Sequence, residues 1–276
     1  MDRLAYSFRV SIIEGTVRSV VKNENTGQVL GVQFTRRGND YKEYVCSIMQ
    51  LKLMMQCFAA LTFVADGCFS NFRREFLKKP VRVRSNFVGL ILKDARLPAP
   101  NHGHVVLANN APVLLYQISQ HDTRILVDVP GKLPSVGTGQ LHEYLRTTVL
   151  PDLPESLREP FETALNSPER LKTMPNSFLP PSVNRTPGIV LLGDAMNMRH
   201  PLTGGGMTVA FNDVVLLSDL LSPTHVPTFD DSSLVLKQMQ TFHWRRKSLS
   251  SVINILAQAL YTLFAADGIF TPRCHD

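Results

Sequence analysis

The chain has 276 residues, with 29 Lys and Arg against 23 Asp and Glu, a formal charge of +6 with histidines neutral. Hydrophobic residues make up 44% and charged residues 19%, which excludes a disordered chain and leaves material for one large or two small domains. The 16 Gly and 18 Pro follow no period, so a collagen-like fibre is excluded as well. The basic residues come in short groups such as Arg36–Arg37, Arg73–Arg74 and Arg245–Lys247, the pattern of solvated surface charge, and no nucleic-acid partner is expected. Cys46, Cys57, Cys68 and Cys274 form no CxxC pair and have no histidine at ligand spacing, so reduced thiols and no metal site are expected.

In chain order, Met1–Tyr6 leads directly into the alternating run Val10–Val17, which reads as a strand already under way rather than a leader peptide, as if the chain began in mid-domain. Alternation over Arg9–Val21 and Val29–Thr35, with turn chemistry at Asn23–Gly27, predicts a hairpin. Val45–Ala60 is strongly apolar, but Lys52, Gln50 and Gln56 interrupt it before the ~20 residues of a membrane span. Leu61–Ala65 is a short buried strand. Strand candidates at Phe87–Leu92, Val105–Ala108, Val113–Ile118 and Arg124–Val129 predict an antiparallel sheet. Helical spacing follows at Gly139–Val149 and Leu157–Leu165, then one strand at Gly188–Leu192. Helices are predicted over Gly206–Leu221, Ser232–Ser248 and Val252–Ala266.

The run Leu191–Thr208 carries the strongest chemical signal. A buried strand ends in Gly193–Asp194, Pro201 fixes the path of a loop, and Gly204–Gly206 opens a long helix. An aspartate at the carboxyl end of a strand can accept from ribose or ribitol hydroxyls, and glycines let the backbone approach a planar ring. Helix amides face an electron-rich ring or oxygen. A flavin fits this combination best, although a glycine run alone also makes plain turns. A second signal is Thr62–Arg74, where a strand feeds Asp66–Gly67 and then Ser70 and Arg73 at a helix start. That arrangement either faces a pyrophosphate or makes a capped helix with a surface arginine. His200 has no carboxylate nearby in sequence and is expected to be structural. Met196, Met198 and Met207 either flank an apolar pocket or fill the core.

The runs Leu61–Arg74, Met174–Pro181, Leu191–Phe211 and Val252–Tyr261 resemble the squalene monooxygenase (squalene epoxidase) family, flavoproteins of sterol biosynthesis. The resemblance implies FAD, O2, electrons from an NADPH-dependent reductase, and conversion of squalene to 2,3-oxidosqualene at the endoplasmic reticulum membrane. It implies cofactor-binding roles for Val17, Asp66, Gly67, Arg73, Gly193, Asp194, Pro201, Gly204, Gly205, Gly206 and Met207. It places Phe178, Leu179, Pro180 and Leu202 along the squalene path, with no catalytic side chain and no metal.

The resemblance further implies an α+β fold: a partial, Rossmann-like FAD-binding domain, an antiparallel-sheet substrate domain and C-terminal helices, of flavin monooxygenase type. The expected division is 1–84 as a partial FAD region, 85–186 as the substrate region, 187–222 as the Gly-Asp motif and its helix, and 223–276 as a helical region. Two departures accompany it. No GxGxxG occurs in the chain, and residues 45–58 form an insertion without a recognised counterpart. The expected chain is therefore truncated at both ends, the carboxyl end diverging after Phe264. The alternatives are a noncatalytic fragment or isoform of such an enzyme, or another FAD-dependent monooxygenase acting on an aromatic substrate.

Overall fold

A computed structural model describes residues 10–36, 54–107 and 112–265. The apolar run 45–53, Cys46, Cys274, Ala108 and the segment after Ala265 lie outside the described residues. The described residues form two compact units, one built from segments within 1–78, 182–196 and 210–246, the other from segments within 79–181, 197–209 and 247–276.

In the first unit, β1 (Gly15–Lys22) and β2 (Val29–Arg36) form the predicted antiparallel hairpin, with register shifts at Val17/Ser19 and Val21/Lys22. Its turn is closed locally: the Asn23 side-chain carbonyl accepts from the Asn25 N–H at 2.9 Å and the Thr26 N–H at 3.2 Å, satisfying amides that the ladder leaves unpaired. The other edge of β2 pairs antiparallel with β3 (Met54–Phe58), so the end of the 45–58 stretch is extended sheet. A second, two-stranded sheet pairs β4 (Thr62–Val64) with β10 (Ile189–Leu191) in parallel. All of β10 is buried, which explains its unbroken run of branched apolar residues in place of alternation.

The second unit is built on a five-stranded antiparallel sheet of order β6–β7–β8–β5–β9. These strands are β5 (Arg82–Lys93), β6 (His104–Val106), β7 (Val113–Gln117), β8 (Asp122–Pro130) and β9 (Lys172–Phe178). Four were legible as apolar runs. β9 was not, because Lys172, Thr173, Pro175, Asn176 and Ser177 give it no apolar alternation. Its place at the sheet edge tolerates a proline that a central strand would not.

One face of this sheet presents Val88, Leu90, Leu92, Val113, Leu115, Ile125 and Val127 to a helical layer. That layer contains a short helix, Gln140–Tyr144, a π turn over Leu145–Val149, and a helix Glu155–Leu165. The single predicted helix Gly139–Val149 is thus an α turn that widens into a π turn, burying both Leu145 and Val149. Leu157, Phe161 and Leu165 recur every four residues and face the sheet. Each fully buried side chain of this size contributes about 1.5–3 kcal/mol. The opposite sheet face, with Phe87, Ile91, Leu126 and Met174, lines a cavity of about 880 Å³.

The carboxyl-terminal helices are α4 (Gly206–Leu220), α5 (Ser232–Arg245) and α6 (Lys247–Ala265), numbered after α1 (Arg73–Phe76), α2 (Gln140–Tyr144) and α3 (Glu155–Leu165). Among the described residues no helix is long and apolar enough to cross a membrane.

Candidate functional site

In the first unit, β4 and β10 end side by side, and each is followed by an acidic residue paired with a glycine: Asp66–Gly67 after β4 and Gly193–Asp194 after β10. Arg73 joins the two turns. Its Nε donates to the Ala195 carbonyl at 3.0 Å, and Nη2 donates to the carbonyls of Gly67 at 2.9 Å and Asp194 at 2.8 Å. Nη1 and Nη2 also reach the Cys68 carbonyl, at 3.1 and 3.0 Å. Arg73 is 6% exposed, so the surface-arginine reading of this motif is corrected. Burial lowers the guanidinium from its ordinary value, while Asp66, Cys68 and Asp194 oppose that shift.

Asp66 accepts from the Asn71 N–H at 3.2 Å, and Ser70 Oγ accepts from the Arg73 N–H at 3.1 Å, closing the turn into α1. Asp194 itself is exposed at the carboxyl end of β10. Its backbone is held from behind while its carboxylate stays open to hydrogen-bond donors. Val17 is exposed on β1, in a different sheet from β4 and β10.

In the second unit, the loop leading to α4 is fixed by two sets of polar contacts. Leu179 and Met198 exchange backbone hydrogen bonds at 3.0 Å, and Asn197 Nδ2 donates to the Leu179 carbonyl at 2.8 Å. Arg199 Nη2 donates to Asn197 Oδ1 at 2.7 Å, and its Nη1 donates to the Gly205 carbonyl at 3.3 Å. Pro201–Thr203 then forms a single 3₁₀ turn closed by Gly204 at φ 62°, a left-handed conformation that side chains disfavour. At Gly205 a Cβ would lie 2.7 Å from Cγ2 of Ile253 on α6. The glycines are therefore required by backbone shape and by close packing at adjacent positions.

His200 is the other anchor of this loop. Its Nε2 lies 3.4 Å from Ser85 Oγ and 3.7 Å from Asp128 Oδ1. Its ring stacks on Tyr261 at 4.2 Å and makes a T-shaped contact with Phe87 at 5.5 Å, both between ring centres. A carboxylate partner does exist, supplied by β8 from 72 residues earlier in the chain (200 − 128), which no local motif could announce.

The predicted site residues fall into groups. Within the first unit, Asp66, Gly67, Arg73, Gly193 and Asp194 gather around the Arg73 guanidinium. Within the second, Pro201 and Leu202 are half-buried and precede Gly204–Gly206 at the entry to α4. Met207 is 71% exposed there, whereas Met196 and Met198 are core. Phe178 lines a groove of about 710 Å³ with Ile255, Ala259 and Leu263 of α6. Leu179 beside it is fully buried and Pro180 half-buried. Asp128, Ser85 and Asn176 carried no sequence signal, because each acts through side chains distant along the chain.

A family model described as squalene epoxidase matches residues 58–270. The chain belongs to the squalene epoxidase family. The Aspergillus fumigatus squalene epoxidase is 53% identical over 260 residues, covering 94% of this chain and 51% of that relative. Arabidopsis thaliana squalene epoxidase 3 is 48% identical over 259 residues, covering 93% of this chain and 46% of its own length. The chain thus spans about half the length of these squalene epoxidases. A solved structure of a triple mutant of the flavin-dependent brominase Bmp2 superposes with a TM-score of 0.68 at 14% identity, covering 98% of this chain and 66% of that one. That likeness bears out the expected α+β fold, one shared by a flavin-dependent enzyme.

Proposed function

We propose that this chain is part of an FAD-dependent squalene monooxygenase, which converts squalene to 2,3-oxidosqualene with O2. The observation that carries the reading is 53% identity to a squalene epoxidase over 94% of the chain. The local geometry fits FAD on two independent counts. The Asp194 carboxylate is exposed on a turn fixed by Arg73, which suits acceptance from ribityl hydroxyls. Gly204 and Gly206 have no atoms within 4 Å of where a Cβ would stand, so the backbone there is open to a planar ring.

In this reading, Gly193, Asp194, Asp66, Gly67 and Arg73 form the cofactor-holding part of the first unit. Arg73 acts through the backbone carbonyls it binds. Pro201, Gly204, Gly205, Gly206 and Met207 present backbone and apolar surface to the ring, and Val17 serves the adenine end. When bound, FAD supplies the reduced ring that activates O2 for oxygen transfer to an alkene, with electrons from an NADPH-dependent reductase. The chain's own contribution is placement and exclusion of water. Phe178, Pro180 and Leu202 supply apolar surface for a hydrocarbon that offers no hydrogen bonds, the chemistry expected of such a wall, while Leu179, fully buried in the core, supports that wall and presents no surface of its own. We assign the enzyme to the endoplasmic reticulum membrane on the family resemblance, and the exposed Val252, Ile255, Leu256 and Leu263 of α6 suit an apolar surrounding.

The test is reconstitution of the purified chain with FAD, an NADPH-dependent reductase and squalene in lipid vesicles. Retained flavin absorbance through gel filtration, with oxidosqualene detected by mass spectrometry, supports the reading. Colourless protein that forms no product assigns the chain to the noncatalytic alternative.

A further inference from the structure

Five side chains from separate stretches of the second unit meet at one buried point: Ser85 on β5, Asp128 on β8, Asn176 on β9, His200 in the loop and Tyr261 on α6. Asp128 is 1% exposed and His200 2%. Asn176 Nδ2 donates to Asp128 Oδ1 at 2.7 Å and to Ser85 Oγ at 3.0 Å. The two nitrogens of His200 have different surroundings. Nε2 faces the Asp128 carboxylate and the Ser85 hydroxyl, both able to accept. Nδ1 accepts from the Leu202 N–H at 3.4 Å, which caps the Pro201–Thr203 turn.

One protonation pattern satisfies both sides. A ring with its proton on Nε2 donates toward Asp128 and leaves the Nδ1 lone pair for Leu202, whereas a proton on Nδ1 opposes the Leu202 N–H. The ring cannot rotate freely to compensate, because Tyr261 stacks on one face at 4.2 Å between ring centres and Phe87 packs against it in a T-shaped contact. The other ionisable groups near Asp128 are Tyr144 on α2 and Tyr261, both phenols raised above their ordinary value chiefly by burial. The charge of Arg84 on β5 opposes the rise at Tyr261 only weakly. Both phenols thus stay neutral, leaving the Asp128 carboxylate and the Ser85 hydroxyl as the acceptors that face the imidazole Nε2, and of these only Asp128 carries a carboxylate.

We propose that Asp128 is a positioning residue: its carboxylate fixes the Nε2–H tautomer of His200, and His200 in turn sets the backbone of the turn that delivers Gly204–Gly206. That this turn faces a flavin rests on the function proposed above; the tautomer and the turn do not.

Long-range ¹H–¹⁵N correlation on the ¹⁵N-labelled 276-residue chain, with His200→Gln to assign the ring signals, reads the tautomer directly. The unmodified chain should show Nε2–H at neutral pH. Asp128→Asn should move His200 toward Nδ1–H and speed Leu202 amide exchange by about tenfold, with the Ile125 and Val127 amides of the sheet unchanged. A His200 that is Nδ1–H or doubly protonated in the unmodified chain overturns the proposal, as does Leu202 exchange that Asp128→Asn leaves unaltered. Should Asp128→Asn fail to fold, Ser85→Ala decides. It keeps the carboxylate and should keep Nε2–H, and a tautomer switch there would transfer the role to Ser85 and overturn the assignment to Asp128. None of these readouts needs bound FAD, so a chain that takes up no flavin counts against the proposed function alone.

Discussion

The Arg73 guanidinium donates to the backbone carbonyl of Asp194 at 2.8 Å and to that of Gly67 at 2.9 Å, so one buried cation ties together the two turns that follow β4 and β10. The sequence separation of 121 positions from Arg73 to Asp194 explains why the sequence showed two similar motifs without showing that one side chain joins them. A shorter ammonium cannot span four carbonyls arranged around a planar fork.

Arg73→Lys and Arg73→Met are therefore both expected to destabilise the first unit, by about 2–3 kcal/mol, because buried carbonyls lose charged donors. Urea unfolding followed by tryptophan fluorescence measures the loss. The lysine variant should recover little of it. A lysine variant with the stability of the parent would show that charge alone, without the fork geometry, holds the turns.

Gly204 and Gly205 are expected to fail for different reasons. Gly204→Ala places a side chain at φ 62° and should cost about 1–2 kcal/mol whatever surrounds it. Gly205→Ala meets Cγ2 of Ile253 at 2.7 Å, so its cost should fall when Ile253→Ala is added. A double-mutant cycle reads this: positive coupling is expected for Gly205 with Ile253 and none for Gly204 with Ile253. Equal behaviour of the two glycines would contradict the distinction.

Much of the fold was legible where one local rule governed. Asn23–Gly27 marked the hairpin turn, Ile189–Leu191 read as a buried strand, and Leu157, Phe161 and Leu165 marked the buried face of α3. The unread parts depended on distant partners. β9 is specified by pairing with β5 and by Asn176 reaching Ser85 and Asp128, not by its own hydrophobicity. The Gly193–Asp194 and Gly204–Gly206 motifs were visible because strand ends and glycine runs are local features. Their supports, Arg73 through carbonyls and Asp128 through His200, were not, because a hydrogen bond to a backbone atom leaves no trace in the partner's residue type and a side-chain partner 72 residues away (200 − 128) leaves none in the local pattern.

Asp213 on α4 and Arg246 after α5 form a bidentate pair at 2.6 and 2.8 Å, each residue 1% exposed. Neither charge has compensating bulk water. Asp213→Ala alone is expected to cost about 3–5 kcal/mol, since it leaves a buried guanidinium without its carboxylate. Replacing both residues by apolar ones of similar size, Asp213→Leu with Arg246→Met, should cost clearly less than the single change. Thermal unfolding of the single and double variants makes the comparison, and a double variant less stable than either single one would show that the pair is net stabilising beyond its own desolvation.

Asp231 caps α5: its Oδ1 accepts from the Leu234 N–H at 3.0 Å and the Ser233 hydroxyl at 2.8 Å. The backbone bond to Leu234, then the Ser233 side chain, hold this carboxyl below its ordinary value. A carboxyl lower in the folded than in the unfolded chain contributes its full stabilisation above the unfolded value, near pH 3.9. That contribution is lost as pH falls through the folded value. Amide exchange in the first turn of α5 should therefore accelerate as pH drops below about 4, beyond the intrinsic pH dependence of exchange. Asp231→Asn, which keeps an acceptor but cannot titrate, should abolish that extra acceleration while retaining the cap at neutral pH. An acid-induced fraying that persists in Asp231→Asn would place its origin in another carboxyl group.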